Sequence, residues 1–155
     1  MFSRFEALST ITGRSVLDLY AGSGAVGLEA ASRGAARVDL VDNSEKAVRV
    51  MTKNTALVAP SVPDCAIRVH RSTVAGYVGA SGETWDIVFI DPPYELTNDV
   101  LFATLTLLLP RLSADAVVAV ERAARDPEPD WPSGYGMLAP KDYGETRVYW
   151  LEVAE

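Results

Sequence analysis

Strands alternating with helices through residue 120 predict an α/β domain: a mostly parallel twisted sheet, helices on both faces, and an antiparallel hairpin at one edge. Three observations carry that reading. A glycine turn, Gly22-x-Gly24-x-x-Gly27, joins an apolar run to a helical pattern; a second strand-like run ends in Asp42; a later one breaks at Asp91-Pro92-Pro93-Tyr94. The chain has 155 residues, 48% hydrophobic and 23% charged, in the range of an ordinary soluble globular protein, and is expected to form one domain over 1–155. At this length a chain buries roughly 70% of its unfolded surface, so the core needs neither disulfides nor a structural metal.

The elements follow in order. Ser15 to Leu19 is a short apolar run holding one acid, and the small residues after it lead into Leu28-Glu29-Ala30-Ala31, which reads as strand, turn and helix. Gly34 suits the end of that helix, and Arg37 to Asp42 alternates polar and apolar as a second strand. Asn43 or Ser44 caps the next helix, whose stripe of Ala47, Val48, Met51, Thr55 and Val58 stops before Pro60. A third strand fits Ala66 to His70, and a short helical turn fits Val74 to Val78. Trp85 to Ile90 is apolar enough for a strand covered on both faces. Asn98 then caps a helix carrying Leu101, Leu105 and Leu108, stopped by Pro110, and Ala116 to Val120 reads as a fifth strand. Prolines 127, 129 and 132 keep the next segment out of any sheet ladder. Gly136 to Pro140 and Thr146 to Val153, separated by Lys141 to Glu145, suit an antiparallel hairpin.

Composition excludes several classes. No uncharged apolar run approaches the roughly 18 residues of a membrane span, and the start lacks the apolar stretch of a secretory signal, so a cytoplasmic location is expected. One cysteine, Cys65, and one histidine, His70, are too few soft ligands for zinc, and no metal is expected. Fourteen Lys and Arg against 21 Asp and Glu give a net charge of −7, which argues against a whole-surface grip on nucleic acid. A local basic face remains open, since Arg14, Arg33, Arg37, Lys46, Arg49, Lys53, Arg68 and Arg71 all lie in the first half.

In an open parallel sheet, ligands bind beyond the carboxyl ends of the strands, where the strand order reverses. The glycine turn lets the backbone approach a ligand, and the helix start offers unpaired N–H donors. Asp42, 20 positions after Gly22, is placed to accept hydrogen bonds from the two hydroxyls of an adenosine ribose, a pairing that fits NAD enzymes and S-adenosylmethionine enzymes alike. Two features separate them. Asp18, four residues before Gly22, stands where dinucleotide fingerprints carry no acid, and its carboxylate suits ordering the glycine loop and facing the cationic amino end of a methionine moiety. At Asp91-Pro92-Pro93-Tyr94 the prolines hold the backbone extended, so that the Asp91 carboxylate and the Pro92 carbonyl can point together at one donor group. Two acceptors suit an exocyclic base amine, with Tyr94 stacked on the base.

The run Asp18-Leu19-Tyr20-Ala21-Gly22-Ser23-Gly24 with Asp91-Pro92-Pro93-Tyr94 resembles the Rossmann-like class I S-adenosylmethionine-dependent methyltransferases that act on exocyclic amines of nucleic-acid bases. Within them, Val16 to Ala30 followed by Ser32-Arg33-Gly34-Ala35 resembles the RsmD type, which methylates guanine N2 in 16S ribosomal RNA. The closing Lys141-Asp142-Tyr143-Gly144-Glu145-Thr146 is similar to that family's last hairpin, so the resemblance covers nearly the whole chain. It implies S-adenosylmethionine as cofactor, S-adenosylhomocysteine as product, and a target in ribosomal RNA within the small subunit or its assembly intermediate. The implied cofactor residues are Asp18, Tyr20, Ala21, Gly22, Ser23, Gly24, Gly27, Asp42, Asn43, Ser72, Thr73 and Asp91; the implied catalytic residues are Asp91, Pro92 and Tyr94. Where many class I members use Asp or Asn on the adenine amine, Arg71-Ser72-Thr73 stands here, and Ser72 is the candidate acceptor. Members of the RsmD type begin with a basic, glycine-containing segment and a helix. Residues 1–14 are accordingly expected to be the remnant of that helix and a linker, in an amino-terminally truncated chain that acts as a monomer.

His70 and Cys65 are expected to be a hydrogen-bonded or surface group and a packing residue, and Trp85 and Trp150 core or sheet-edge aromatics. Trp131, Lys141 and Tyr143 are the further candidates for RNA contact. The four-residue motif alone does not distinguish guanine N2 from adenine N6 in DNA or RNA. A non-catalytic RNA-binding or ribosome-assembly module is the reading of another class, and Asp42, Asp91 and the glycines together argue against it. An NAD oxidoreductase is disfavoured by the Asp-Pro-Pro-Tyr loop.

Overall fold

A computed structural model of the protein describes residues 11–155. Its strands are β1 (Ser15–Leu19), β2 (Arg37–Asp42), β3 (Ala66–Arg71), β4 (Trp85–Ile90), β5 (Leu112–Ala123), β6 (Tyr135–Met137), β7 (Lys141–Tyr143) and β8 (Thr146–Val153). The helices are α1 (Ala25–Ser32), α2 (Glu45–Val58), α3 (Val74–Ala80) and α4 (Asn98–Leu108). The sheet runs β3-β2-β1-β4-β5-β8-β6, with β7 also on β8. β1 to β5 are parallel to one another, and β8 is antiparallel to β5. The order therefore reverses between β1 and β4, and a crevice opens above their carboxyl ends.

The pleat explains why these strands carry so few polar residues. Val16, Val38, Leu40, Ile87 and Phe89 point to one face and pack with Leu28 of α1 and Met51 of α2. Leu17, Leu19, Val41, Val88 and Ile90 point to the other, against Val74 and Val78 of α3 and Leu101, Leu105 and Leu108 of α4. Both faces are covered, so the strands read as continuous apolar runs.

Several predicted boundaries are corrected. The third strand continues to Arg71, which pairs with Asp42, and the short helix extends to Ala80. Of the two predicted caps, Ser44 caps α2 through its side chain. Thr97 rather than Asn98 caps α4, accepting from the Val100 N–H, and Asn98 is already helical. The fifth strand spans Leu112–Ala123; its register against β4 shifts between Trp85↔Leu112 and Ile87↔Val117, so extra residues are absorbed where the sequence turns polar. The terminal hairpin is formed by β7 and β8 around Gly144, whose φ of 63° closes the turn. The predicted separator Lys141 to Glu145 is thus mostly strand, and β6 lies along the other half of the same β8 edge. The proline segment carries no strand.

Residues 1–10 of the predicted amino-terminal remnant lie outside the described residues. Residues 11–14 form a turn, with the Arg14 N–H donating to Ile11 O and Ile11 buried.

Candidate active site

The site starts at the end of β1. Tyr20 turns the chain with φ 60°, the one non-glycine residue with positive φ among those described. The Ala21 N–H reaches back to Val41 O (3.0 Å) and the Gly24 N–H to Ala21 O (2.8 Å), which winds the chain into α1. Gly24 has φ 81°, and a side chain there would stand 3.1 Å from Met51 Cβ and 3.2 Å from Leu40 Cδ1. That position needs glycine for both conformation and space. Gly27 needs it for space alone, since a Cβ would overlap Leu40 Cδ2 and approach Val38 Cγ1 to 3.0 Å.

Two carboxylates hold this turn. Asp18 is buried, and its Oδ2 accepts from the Gly27 N–H at 3.0 Å, so it anchors the first turn of α1. Asp42 accepts from the Gly22 N–H through Oδ2 (2.9 Å) and from the Ser44 N–H through Oδ1 (2.9 Å), which ties the glycine loop to the start of α2. Burial pushes the Asp18 carboxyl up to about 7; the Gly27 hydrogen bond pulls it down, and the nearby Asp91 and Asp42 push it up further.

A cavity of about 690 Å³ opens above the switch point, walled by Tyr20, Asp42, Asn43, Ser44, Thr73, Val74, Ala75, Asp91, Pro93, Val100 and Thr104. Its volume is that of a site for a drug-sized or nucleoside-sized ligand. A second hollow of about 280 Å³ is walled by Asp91, Pro92, Pro93, Tyr94, Glu121, Arg122, Ala123, Asp126 and Thr146. The two share Asp91 and Pro93. Tyr94 is 81% exposed at the mouth of the second, beside the hairpin residue Thr146.

Of the predicted residues, Tyr20, Asp42, Asn43, Thr73 and Asp91 line the larger cavity, and Asp91, Pro92 and Tyr94 the smaller. Asp18, Ala21, Gly22, Ser23, Gly24 and Gly27 form the turn beneath rather than the cavity wall. Ser72 does not line the cavity: its hydroxyl donates to Thr73 O (2.8 Å), and Thr73 takes the wall position while its own hydroxyl caps α3. Val74, Ala75, Val100, Thr104, Arg122 and Thr146 were not singled out from the sequence. The first four share a signal, since each belongs to α3 or α4 and follows a loop that leaves the carboxyl end of a strand.

The residues outside the site keep structural partners. His70 Nε2 lies 2.9 Å from Asp39 Oδ1 and 3.3 Å from the Tyr77 hydroxyl, and the Trp85 indole N–H donates to Asp39 Oδ2 (3.0 Å). Cys65 is half-buried against the core. Trp131 packs edge-on against Tyr149 at 5.2 Å and donates to Glu128, which makes it a cover for the core more than a free platform. Lys141 is exposed and Tyr143 half-buried.

The donor set fits a cationic nucleoside. Asp42 and Asp91 place two carboxylates in the cavity wall, and Asp18, whose carboxyl burial raises to about 7, lies in the turn beneath. A nucleoside-sized crevice at the switch point of this fold, with Asp42 and Asp91 in its wall, is that of an S-adenosylmethionine-dependent methyltransferase, as the relatives bear out. The architecture agrees. The solved structure of the yhhF protein of Escherichia coli superposes with a TM-score of 0.85 at 28% identity, covering 98% of this chain and 83% of that one. The magnesium protoporphyrin IX methyltransferase of Synechocystis, solved with bound S-adenosylmethionine, shares the fold at TM-score 0.74 and 16% identity, over 98% of this chain and 76% of its own.

The protein belongs to the family described as Conserved hypothetical protein 95, whose model matches residues 1–152. It is 31% identical over 146 residues to the Ribosomal RNA small subunit methyltransferase D of Escherichia coli, covering 92% of this chain and 71% of that protein.

Proposed function

We propose that the protein methylates the exocyclic N2 amine of a guanine in 16S ribosomal RNA, in the small subunit or a particle on the way to it. The observation that carries the reading is the pair of cavities meeting at Asp91 and Pro93, one of nucleoside size and one open to solvent beside Tyr94. A methyl donor in the first and a base in the second would face each other across the Asp-Pro-Pro-Tyr loop. Relatives named as small-subunit RNA methyltransferases support the choice of RNA.

When bound, S-adenosylmethionine supplies an electrophilic methyl group and a good leaving group, so the protein's part is alignment and exclusion of water. Asp42 would accept the ribose hydroxyls with the oxygen lone pairs left over from its two backbone donors. Asn43, Thr73 and Val74 would hold the adenine end, and Asp18, which fixes the start of α1 through the Gly27 N–H, would supply negative charge beneath the ammonium end. The Asp91 carboxylate and the Pro92 carbonyl accept the two amine hydrogens, turning the nitrogen lone pair out of conjugation and toward the methyl group. Tyr94 stacks on the base, which must leave its helical stack to arrive. The methylated nitrogen then loses its extra proton to water, and no separate base is required.

The test incubates the protein with radiolabelled S-adenosylmethionine and small-subunit particles lacking the modification, followed by digestion and mass spectrometry of the labelled nucleoside. N2-methylguanosine is expected; N6-methyladenosine, or no label in RNA, overturns the assignment. Asp91→Ala is expected to abolish transfer while the cofactor dissociation constant, read by calorimetry, stays nearly unchanged. Retained activity would remove Asp91 from the mechanism.

A further inference from the structure

The acceptor loop is poor in means to hold itself. Pro92 and Pro93 have no N–H to donate, and the loop's own backbone bond is Leu96 N–H to Pro93 O at 3.0 Å. Asp91, Pro93, Tyr94, Glu95 and Thr97 are exposed. A side chain from another element donates to this segment. Arg122, near the end of β5, sends Nη2 to Leu96 O at 2.7 Å and to Asn98 Oδ1 at 2.9 Å. It thus ties the exit of the loop and the first residue of α4 to the strand next to β4. Arg122 also lines the smaller cavity with Asp91, Pro92 and Tyr94.

The connection reaches the other cavity as well. Thr104 of α4 is buried and walls the larger cavity with Tyr20. Burial raises the Tyr20 hydroxyl above the ordinary phenol value, while Thr104 and the Arg122 charge act the other way. An arginine suits this place because its planar fork offers several fixed donors and never loses its charge.

We propose that Arg122 is a positioning residue that fixes the Asp91–Tyr94 loop against the end of β5, setting the reach between acceptor amine and methyl donor. The inference rests on the methyltransferase reading of the site. In this role Arg122 acts through Leu96 and Asn98; it also borders the hollow assigned to the base, and the exchange readout and Asn98→Ala separate the tether from a direct contact. Since misplacement of about 1 Å at a transfer site can cost roughly a hundredfold in rate, loss of the tether is expected in kcat. The cofactor cavity keeps its own walls at Asp42, Asn43 and Thr73, so cofactor affinity should not follow.

The experiment compares the parent with Arg122→Met, which keeps the length of the side chain and removes its donors, and with Asn98→Ala, which removes one bond from the other side. Arg122→Met is expected to lower kcat for methyl transfer by roughly 10- to 100-fold. The KM and dissociation constant for S-adenosylmethionine should change less than about twofold. Amide hydrogen exchange over residues 94–98 should accelerate while β1 and β4 stay protected. The double variant should be no slower than Arg122→Met alone. Parallel loss of cofactor affinity and kcat, or a kcat within twofold of the parent, overturns the proposal. Should Arg122→Met fail to fold, Asn98→Ala carries the same exchange and kcat readouts, and unchanged values there overturn it. A parent that transfers no label to RNA refutes the proposed function, and the exchange measurement still decides whether Arg122 holds the loop.

Discussion

At residue 18 burial and charge act against each other. The carboxyl is 4% exposed, donor contact from the Gly27 N–H favours its ionised form, and desolvation with two neighbouring acids favours the neutral one. The outcome is a group raised from the ordinary value to about 7. A carboxyl with a raised folded value binds more protons folded than unfolded between about pH 4 and 7. Its contribution to stability therefore falls as pH rises through that window and reaches its lowest level above 7. Asp18→Asn keeps an acceptor for Gly27 without the charge. Urea denaturation at pH 5 and pH 8 is expected to show a smaller loss of stability toward pH 8 in the variant than in the parent. An equal loss would mean that Asp18 is ionised throughout. Asp42 sits at the other end of the same turn, half-buried, with both oxygens already bonded to backbone. Asp42→Ala is expected to weaken S-adenosylmethionine binding by about 1–3 kcal/mol, the range for hydrogen bonds to a charged group, measurable by calorimetry. An unchanged dissociation constant would remove Asp42 from the cofactor site.

Among the elements, α1 is the one the crevice depends on most. It has no side-chain cap and no acid in its first turn, so its amino end is held by Asp18 and by close packing on β1 and β2. That approach is possible because position 27 has no side chain. Gly27→Ala is expected to cost about 1–3 kcal/mol by overpacking against the fully buried Leu40 and Val38, and to widen the glycine turn with it. Thermal unfolding with and without cofactor checks both effects; wild-type stability in the variant would show that α1 can lift freely. The elements that were legible in the sequence are those with an unbroken local pattern. β1, β2 and β4 follow from apolar runs ended by acid or glycine, and α2 from its stripe. The errors fall where two neighbours share one chemistry or where pairing is distant. Thr97 and Asn98 are both good caps; Thr97 takes the cap, and the Asn98 side chain is engaged by Arg122, 24 residues away. β7 is three polar residues that are a strand because β8 supplies the partner edge. The turn residues of the site were visible as motifs, whereas Arg122, Thr104 and Val100 enter it through packing between β5, α4 and β4, which no local spacing records.

Across the whole molecule, the crevice lies between two halves that meet through β1 and β4. Asp42, Asn43, Ser44 and Thr73 belong to the β2–β3 half, and Asp91, Pro93, Val100 and Thr104 to the β4–α4 half. A ligand that fills the larger cavity touches both. Binding to the native state alone stabilises it by mass action, by about 2.7 kcal/mol at a hundred times the dissociation constant. For a chain of this size each kcal/mol moves the midpoint by about 2–4 °C, so saturating S-adenosylmethionine should raise Tm by about 5–10 °C. The carboxylates facing the cavity add a charge signature. S-adenosylhomocysteine lacks the sulfonium charge that Asp42 in the wall and Asp18 beneath it would favour, and the gap between the two ligands should widen as pH rises and Asp18 ionises. Differential scanning fluorimetry at pH 6 and pH 8 with each ligand reads both effects. A Tm that does not respond to S-adenosylmethionine would show that the two halves do not share a ligand. A gap independent of pH would show that the buried carboxyl takes no part in telling donor from product.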